Sequence, residues 1–518
     1  MALSKIASSE VDLWRLFQER AKDFATQPAL SAEADHMTFS ELFKVAERIV
    51  VSLAKAGIKE GDIVALALPN TPAFVPAFLA LCKLSITVAL VSSKYGESEL
   101  QSIQDNIMPA SVITVSSVAG EWQRTFDFVR NQRQKISITK IHDSLEVLSL
   151  VSRAPHVNGA TRAPSPSGVR LIKITSGSTG VPKGIALSAQ NIVAEAENVA
   201  ITLALTPRDR ILAVVPLVHS YGFDLGVLAM LYSGAALLLR ETFVPRQTLT
   251  ELSSQHVTVF LGVPSMYRFF LETDPAPAPR LSHIRYLLSC TAPLHPDLIC
   301  AFDRKYHIPI CQHYGSSETG AVTTHIPDAV LNRSTSVGMP MKNVEVKIIN
   351  EQSQELPASM EGEIVVKSGA VASGYVMGHP KSPSPFRDDH FWTGDLGCVD
   401  QAGFLYLHGR KDQIINVGGL KVSPQEVVRV LESFPAVREA AVLGVRSGMS
   451  EETVYAAVTL RRPATEKEIL AFCSTRLADY KIPRRIEIRE ALPHSPSGKI
   501  KLSYEDITKW IESTSSMK

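Results

Sequence analysis

The chain reads as α/β: a large body of layered helices and strands, a β-rich lobe, and a compact α+β tail. Three observations predict this. Strand-like apolar runs alternate with helical patterns from Ile63 to Ser289, the pattern of largely parallel sheets covered by helices. From about Val344 the pattern changes to short strands joined by Gly- and Pro-containing turns, and after Arg410 it becomes α+β. Finally, 518 residues exceed what one ordinary hydrophobic core serves, so several domains are expected.

Taken in order, Val11, Leu13, Trp14 and Phe17 are spaced as the apolar face of an amphipathic helix. Ile63 to Leu68 predicts a strand, Ala73 to Lys83 a helix, and Thr87 to Val91 a second strand. Further strands are expected at Ser111 to Val115, Ile211 to Val215, Ala235 to Leu239, Val257 to Leu261 and Tyr286 to Ser289, with a helix over Gln190 to Leu203. The β-rich lobe contributes Val344 to Ile349, Gly362 to Lys367 and Phe404 to His408. The tail holds a helix from about Pro424 to Glu432 and strands near Ala440 to Val445 and Val454 to Leu460. Ser152 to Gly168, Asp274 to Pro279 and Gly378 to Pro385 read as surface loops, and no internal repeat is present.

Composition excludes several function classes. Lys+Arg 53 against Asp+Glu 52 leaves a net charge of +1, so nothing drives bulk attraction to nucleic acid or anionic lipid. Six scattered cysteines without a C-x-x-C fit neither a disulfide framework nor a zinc module, and point to a reducing, cytoplasmic setting. The first 30 residues lack a secretory pattern. Two apolar stretches, Phe74 to Val91 and Ile211 to Leu239, are interrupted by Pro76 and Lys83 and by His219 and Asp224, so they read as buried elements rather than membrane spans.

The most informative segment runs from Leu171 to Gly184. An apolar strand enters a loop with two hydroxyl pairs, Thr175/Ser176 and Ser178/Thr179, interleaved with Gly177 and Gly180. Glycines let backbone N–H groups turn toward a phosphate, hydroxyls add donors, and Lys183 supplies a positive charge for departing pyrophosphate. It is not a Walker loop, since no G-K-[ST] follows at the required spacing, and G-x-G-x-x-G occurs nowhere. Downstream, Tyr314-Gly-Ser-Ser-Glu-Thr-Gly320 offers an aromatic ring for a purine and a carboxylate for Mg²⁺. Trp392-Thr-Gly-Asp-Leu-Gly397 places a carboxylate, in a turn between strands, where it can accept from ribose hydroxyls. Gly409-Arg-Lys-Asp412 and Pro493-His-Ser-Pro-Ser-Gly-Lys-Ile500 complete the series.

In this order the motifs resemble those of the adenylate-forming superfamily, which includes acyl-CoA synthetases, peptide-synthetase adenylation domains and firefly luciferase; the likeness extends over nearly the whole chain and is greatest to acyl- and aryl-CoA ligases. The resemblance implies a large N-terminal domain, residues 1–411, of two α/β subdomains plus the β-rich lobe, and a small mobile α+β domain, residues 412–518. It implies nucleotide contacts at Thr175, Ser176, Gly177, Ser178, Thr179, Gly180, Lys183, Thr291, Ala292, Tyr314, Gly315, Thr319, Asp395 and Arg410, with Glu318 and Thr179 toward Mg²⁺. Lys499, His219, Thr179 and Lys183 are the catalytic candidates, Asp412 the hinge, and Gly418-Gly419 the lining of a thiol tunnel, an ordinary Gly-Gly hairpin being the alternative for the last. Lys499 would bridge the attacking carboxylate and the α-phosphate.

The acyl pocket implied by the resemblance includes His219, Ser220, Tyr221, Asp224, Gly262, Met266, His313 and Val322. Cys290-Thr291 and His313 are bulkier and more polar than the small residues common at those positions, which hints at a narrower, partly polar pocket. Asp224 either pairs with an amine or hydroxyl of the substrate or caps the apolar helical run Leu225 to Tyr232. The expected reaction is ATP- and Mg²⁺-dependent formation of an acyl-adenylate from a small carboxylic acid, with pyrophosphate release, followed by thioester formation with coenzyme A. A separate acyl carrier protein is the alternative acceptor, and a non-catalytic acyl-nucleotide binding protein or a kinase-like transferase releasing ADP are rivals of other classes.

Overall fold

The computed structural model describes residues 11–32, 35–115, 135–137, 148–152, 168–176, 182–273, 279–377, 384–418, 420–447, 451–493, 500 and 506. Most of the three expected surface loops, residues 177–181, Gly419 and most of the Lys499 motif fall outside them.

Two mixed sheets form the body. The first runs in the order Gly374–Met377, Pro182–Ser188, Val169–Ser176, Thr87–Leu90, Ile63–Ala67, Ser111–Val115, Leu148–Ser152, Lys135–Ser137. Its four central strands are parallel and its edges antiparallel. The second has a parallel centre running from Ile310–Ser316 through Tyr286–Ser289, Val259–Gly262, Arg210–Ala213 and Ala236–Leu239 to Pro28–Ala32. Here the early strand Pro28–Ala32 crosses to pair with Ala236–Leu239, with Leu30 opposite Leu237, so this subdomain is discontinuous in sequence.

Local chemistry sets the helices between them. Phe39–Lys55 starts at a capping box in which Thr38 and Glu41 satisfy each other's amides. Phe74–Lys83 has apolar residues on every side and is buried accordingly, the expected fate of a helix without a polar face. Phe223 meets Phe74 and Phe78 edge-on at 6.4 and 5.1 Å, which ties the helical segment after His219 to this helix. Both apolar stretches are interior elements, as expected, and no helix among the described residues is long and apolar enough to cross a membrane.

The β-rich lobe packs Val344–Ile349, Gly362–Ser368 and His390–Val399 side by side, with Leu405–Arg410 and Phe386–Arg387 on the last. One expectation is corrected here. Asp395 lies within the strand His390–Val399, paired with Arg410, rather than in a turn. Gly394 at φ 73° absorbs the irregularity there, so the Thr-Gly-Asp sequence stays in the sheet.

The α+β tail has its own core, with Val422, Val427, Leu431, Val458 and Ile469 at its centre. A hairpin of Ile415–Val417 and Leu420–Val422 opens it, followed by helix Pro424–Ser433 and a sheet of Val437–Ser447, Glu451–Leu460 and Arg485–Arg489. Arg268 of the body donates to the Arg438 carbonyl at 2.9 Å and approaches Glu432 at 3.5 Å.

Candidate active site

The site is built at the carboxyl ends of the second sheet's parallel strands, where open α/β sheets place ligands. Ile310–Ser316 turns back through residues 317–319 into Gly320–Thr324, so the Tyr314–Gly320 motif is a hairpin. Within it Thr319 Oγ1 accepts from the Ser316 amide at 3.0 Å and donates to the Gly320 carbonyl at 2.9 Å. Ser220 reaches this hairpin through a 2.6 Å bond to Ser317.

Tyr314 Oη donates to Asp395 Oδ2 at 2.5 Å, Asp395 Oδ1 lies 3.2 Å from Arg410 Nη1, and Arg410 grips Asp412 with two nitrogens at 3.0 and 3.3 Å. Four residues expected on the nucleotide or at the hinge therefore form one polar chain. Burial, and then the Asp395 charge, push the Tyr314 phenol well above its usual range, so it stays a donor. Burial by itself lowers the Arg410 guanidinium, but Asp412 and Asp395 carry it above its ordinary value and it stays charged.

A second group centres on Tyr375, which the sequence reading missed. Its hydroxyl donates to Glu318 Oε1 at 3.0 Å, and Lys183 Nζ lies 5.7 Å from its ring centre. Its strand Gly374–Met377 pairs with Pro182–Ser188, and Thr175 lies opposite Lys183 in the next strand. A lone aromatic in a four-residue strand carries no signal of its own; only its sheet neighbours give it a role.

Glu195 is the other residue missed. It is 1% exposed on helix Ala189–Thr202, and its Oε1 accepts the Ala321 amide at 2.9 Å. A Cβ at Gly320, where φ is +68°, would come within 2.1 Å of Glu195 Oε2, so only glycine fits. Helical spacing explains why a Glu can face inward, but nothing in the sequence shows that an amide awaits it.

Two pocket expectations change. Asp224 neither caps a helix nor awaits a substrate group: it sits inside a short π-helical turn, Phe223–Leu228, and both its oxygens lie 2.7 Å from Lys173 Nζ. The helical run already begins at Ser220, which moves Asp224 past the cap, and Lys173 on the adjacent sheet neutralises it. Val322 is wholly buried with Ile348, Ile364 and Leu405 in the core under the β-rich lobe. Tyr221, Gly262 and His313 do converge, with Tyr221 and His313 stacked at 5.9 Å. His219 is half-buried just before Ser220, and Met266 is partly buried against the main core.

These residues fit a Mg²⁺-nucleotide. Mg²⁺ takes one or two carboxylates and completes its shell with phosphate oxygens and water. The described residues hold no cluster of three or more metal-binding side chains, but they do offer Glu318, with Lys183 beside the same tyrosine. Thr291, at φ 75°, directs a buried hydroxyl that has no hydrogen-bond partner among the described residues, as a residue that contacts a ligand does.

Fold and site together describe a nucleotide-handling α/β enzyme, and comparison with known proteins makes this specific. The sequence profile of AMP-binding enzymes matches residues 17–376, and that of their C-terminal domain matches 426–499. The chain belongs to the AMP-binding enzyme family. It is 30% identical to an oxalate–CoA ligase of Arabidopsis thaliana over 94% of this chain and 96% of the relative. A 2-succinylbenzoate–CoA ligase of Geobacillus kaustophilus is 32% identical, covering 89% and 91%. Among solved structures, o-succinylbenzoate CoA synthetase from Bacillus subtilis with its acyl-adenylate superposes with a TM-score of 0.81 at 27% identity, covering 95% and 98%.

Proposed function

We propose that this chain uses ATP and Mg²⁺ to convert a small carboxylic acid into an acyl-adenylate, releasing pyrophosphate, and then passes the acyl group to the thiol of coenzyme A. The observation that carries this reading is the Tyr314–Asp395–Arg410 chain, with Glu318 and Lys183 meeting at Tyr375 from the same hairpin and the neighbouring sheet. Family membership supports it, because CoA ligases of this family match over 89–94% of this chain.

A carboxylate resists attack because oxide would have to leave; a phosphoric anhydride supplies a far better leaving group. The protein's task is alignment and charge neutralisation. In this reading Asp395 and Arg410 orient the nucleoside end, and Lys183 offsets charge on the departing phosphates. Mg²⁺ on Glu318 would neutralise phosphate oxygens. Lys499 draws the two anions together and then withdraws, with residues 412–518 turning at Asp412 to bring Gly418–Gly419 beside the incoming thiol. The reaction needs a supply of ATP and coenzyme A, and the cytoplasm is the setting this reading proposes.

The test is acid-dependent exchange of pyrophosphate into ATP over a panel of aryl, short-chain, medium-chain and amino acids, with product analysis. AMP with a coenzyme A thioester is the expected outcome. ADP would indicate a kinase, and acylation of an added carrier protein but not coenzyme A would change the acceptor. No exchange with any acid would return the chain to a binding role.

A further inference from the structure

Asn70 links the two sheets of the body. It follows the strand Ile63–Ala67 of the first sheet, precedes helix Phe74–Lys83, and is 8% exposed. Its Nδ2 donates to the Val215 carbonyl at 2.9 Å and to the Arg240 carbonyl at 3.0 Å, and its Oδ1 accepts the Leu217 amide at 2.9 Å. The three partners lie just past the carboxyl ends of two neighbouring parallel strands of the second sheet, Arg210–Ala213 and Ala236–Leu239. Two carbonyls and one amide admit a single orientation of the side chain, and no other side chain of this size supplies two donors and an acceptor. Asp has no donor, and Gln is a methylene longer. Pro69 and Pro72 flank the residue and restrict the backbone on either side, and the Thr71 amide bonds the Pro69 carbonyl at 2.7 Å. The amide is therefore presented on a stiff loop.

What Asn70 holds is the turn that leads into the site. The His219 amide closes back on the Pro216 carbonyl at 3.1 Å, and the His219 carbonyl accepts the Phe223 amide at 2.9 Å, so residues 215–219 run directly into the helical segment that starts at Ser220. The fit there is close. A Cβ at Gly222 would come within 2.5 Å of the Pro216 carbonyl oxygen, so the turn and the start of the helical segment move together. Ser220 then meets Ser317 at 2.6 Å in the Tyr314–Gly320 hairpin, which Tyr314 ties to Asp395. A continuous run of contacts thus leads from the first sheet, through Asn70, to the hairpin of the site.

We propose that Asn70 is a positioning residue of the reaction: without touching substrate, it sets the turn bearing His219 and Ser220 against the hairpin, and with it the seat of the carboxylic acid. This rests on the adenylation reading given above, in which Asp395, Arg410 and Lys183 hold the nucleotide and leave the acid to the side of His219. Losing the three bonds strands a buried amide and two carbonyls and lets the turn drift. Where alignment drives the reaction, a drift of about 1 Å costs on the order of a hundredfold.

The experiment compares the full-length chain with two variants. Asn70→Asp keeps the shape but sets an oxygen against two carbonyls, and Asn70→Ser leaves room for water. Pyrophosphate exchange is measured with the acid that the wild type uses best. In either variant KM for the acid is expected to rise about tenfold or more, while KM for ATP stays within about twofold. A merely structural role reduces the amount of folded protein and moves neither KM. In a His219→Ala background, Asn70→Ser should cost no more than about twofold in kcat/KM, since its effect passes through the same turn. Hydrogen–deuterium exchange of the ligand-free proteins reads the turn directly: peptides spanning residues 214–223 should exchange faster in Asn70→Ser, and those from the tail helix Pro424–Ser433 should not. An unchanged KM for the acid, an undiminished loss in the His219→Ala background, equal deuterium uptake over 214–223, or failure of both variants to fold would make Asn70 a structural tie and overturn the proposal while leaving adenylation intact. Background pyrophosphate exchange by the wild type with every acid overturns the adenylation reading and this role with it.

Discussion

Tyr314 and Asp395, 81 residues apart in sequence, are joined by a 2.5 Å hydrogen bond between the second sheet and the β-rich lobe. The bond fixes one carboxylate oxygen while Arg410 faces the other. A carboxylate held at both oxygens has its orientation set by these two contacts.

Asp395→Asn is therefore expected to lower kcat/KM for ATP by roughly tenfold to a hundredfold, the cost of one charged hydrogen bond in a buried site. Tyr314→Phe should cost less, since the ring stays. Steady-state kinetics in ATP at saturating acid measure both, and an unchanged KM for ATP in Asp395→Asn would count against the nucleotide role.

Tyr375 separates two contributions. Tyr375→Phe removes the donor to Glu318 but keeps the ring beside Lys183. Its apparent Mg²⁺ requirement should rise by about tenfold, while Tyr375→Ala should also weaken pyrophosphate exchange. Titrating Mg²⁺ at fixed ATP distinguishes the two variants.

Lys173 and Asp224 form a buried pair, 2% and 3% exposed. Lys173→Met leaves an uncompensated charge and should destabilise the chain by about 3–5 kcal/mol, whereas adding Asp224→Leu should restore most of that. A double-mutant cycle by denaturant unfolding reads the coupling directly. Additive effects would mean that the pair is not coupled.

Burial first, and the Asp224 charge second, push the Glu195 carboxyl up to about 8 from 4.5, against the pull of Lys173 and the Ala321 amide. A raised acid stabilises the fold while it stays protonated. Its contribution is complete below the unfolded value, falls as pH rises between the two values by at most about 1.4 kcal/mol per unit, and is gone above the folded one. Glu195→Gln should remove this slope. Unfolding midpoints followed from about pH 5 to about pH 9 should converge for the two proteins at the acid end and diverge toward the alkaline end.

Lys499→Ala is expected to slow adenylate formation by about a hundredfold or more, with a smaller effect on thioester formation from supplied adenylate. Single-turnover assays of the two half-reactions separate these outcomes. Equal loss in both halves would contradict a role confined to the first.

Much of this was legible in the sequence because it depends on neighbours along the chain. Ser111–Val115, Tyr286–Ser289 and Val344–Ile349 match their apolar runs residue for residue, since alternation and β-branched content act locally. The Tyr314–Gly320 segment was legible as a unit for the same reason: its residues are consecutive and form one hairpin. Asp224 was misread because periodicity marks a helix but not its exact start, and because its partner, Lys173, stands 51 positions away.

The sequence by itself determined the α/β class, the order of layers, the net charge and the consecutive motifs. Only the tertiary structure decided that Tyr375 joins Lys183 to Glu318 and that Glu195 excludes any side chain at Gly320. The reason is physical: local patterns follow from the torsions and polarity of adjacent residues. Whether a buried donor or charge is satisfied depends on what the fold places against it from elsewhere in the chain.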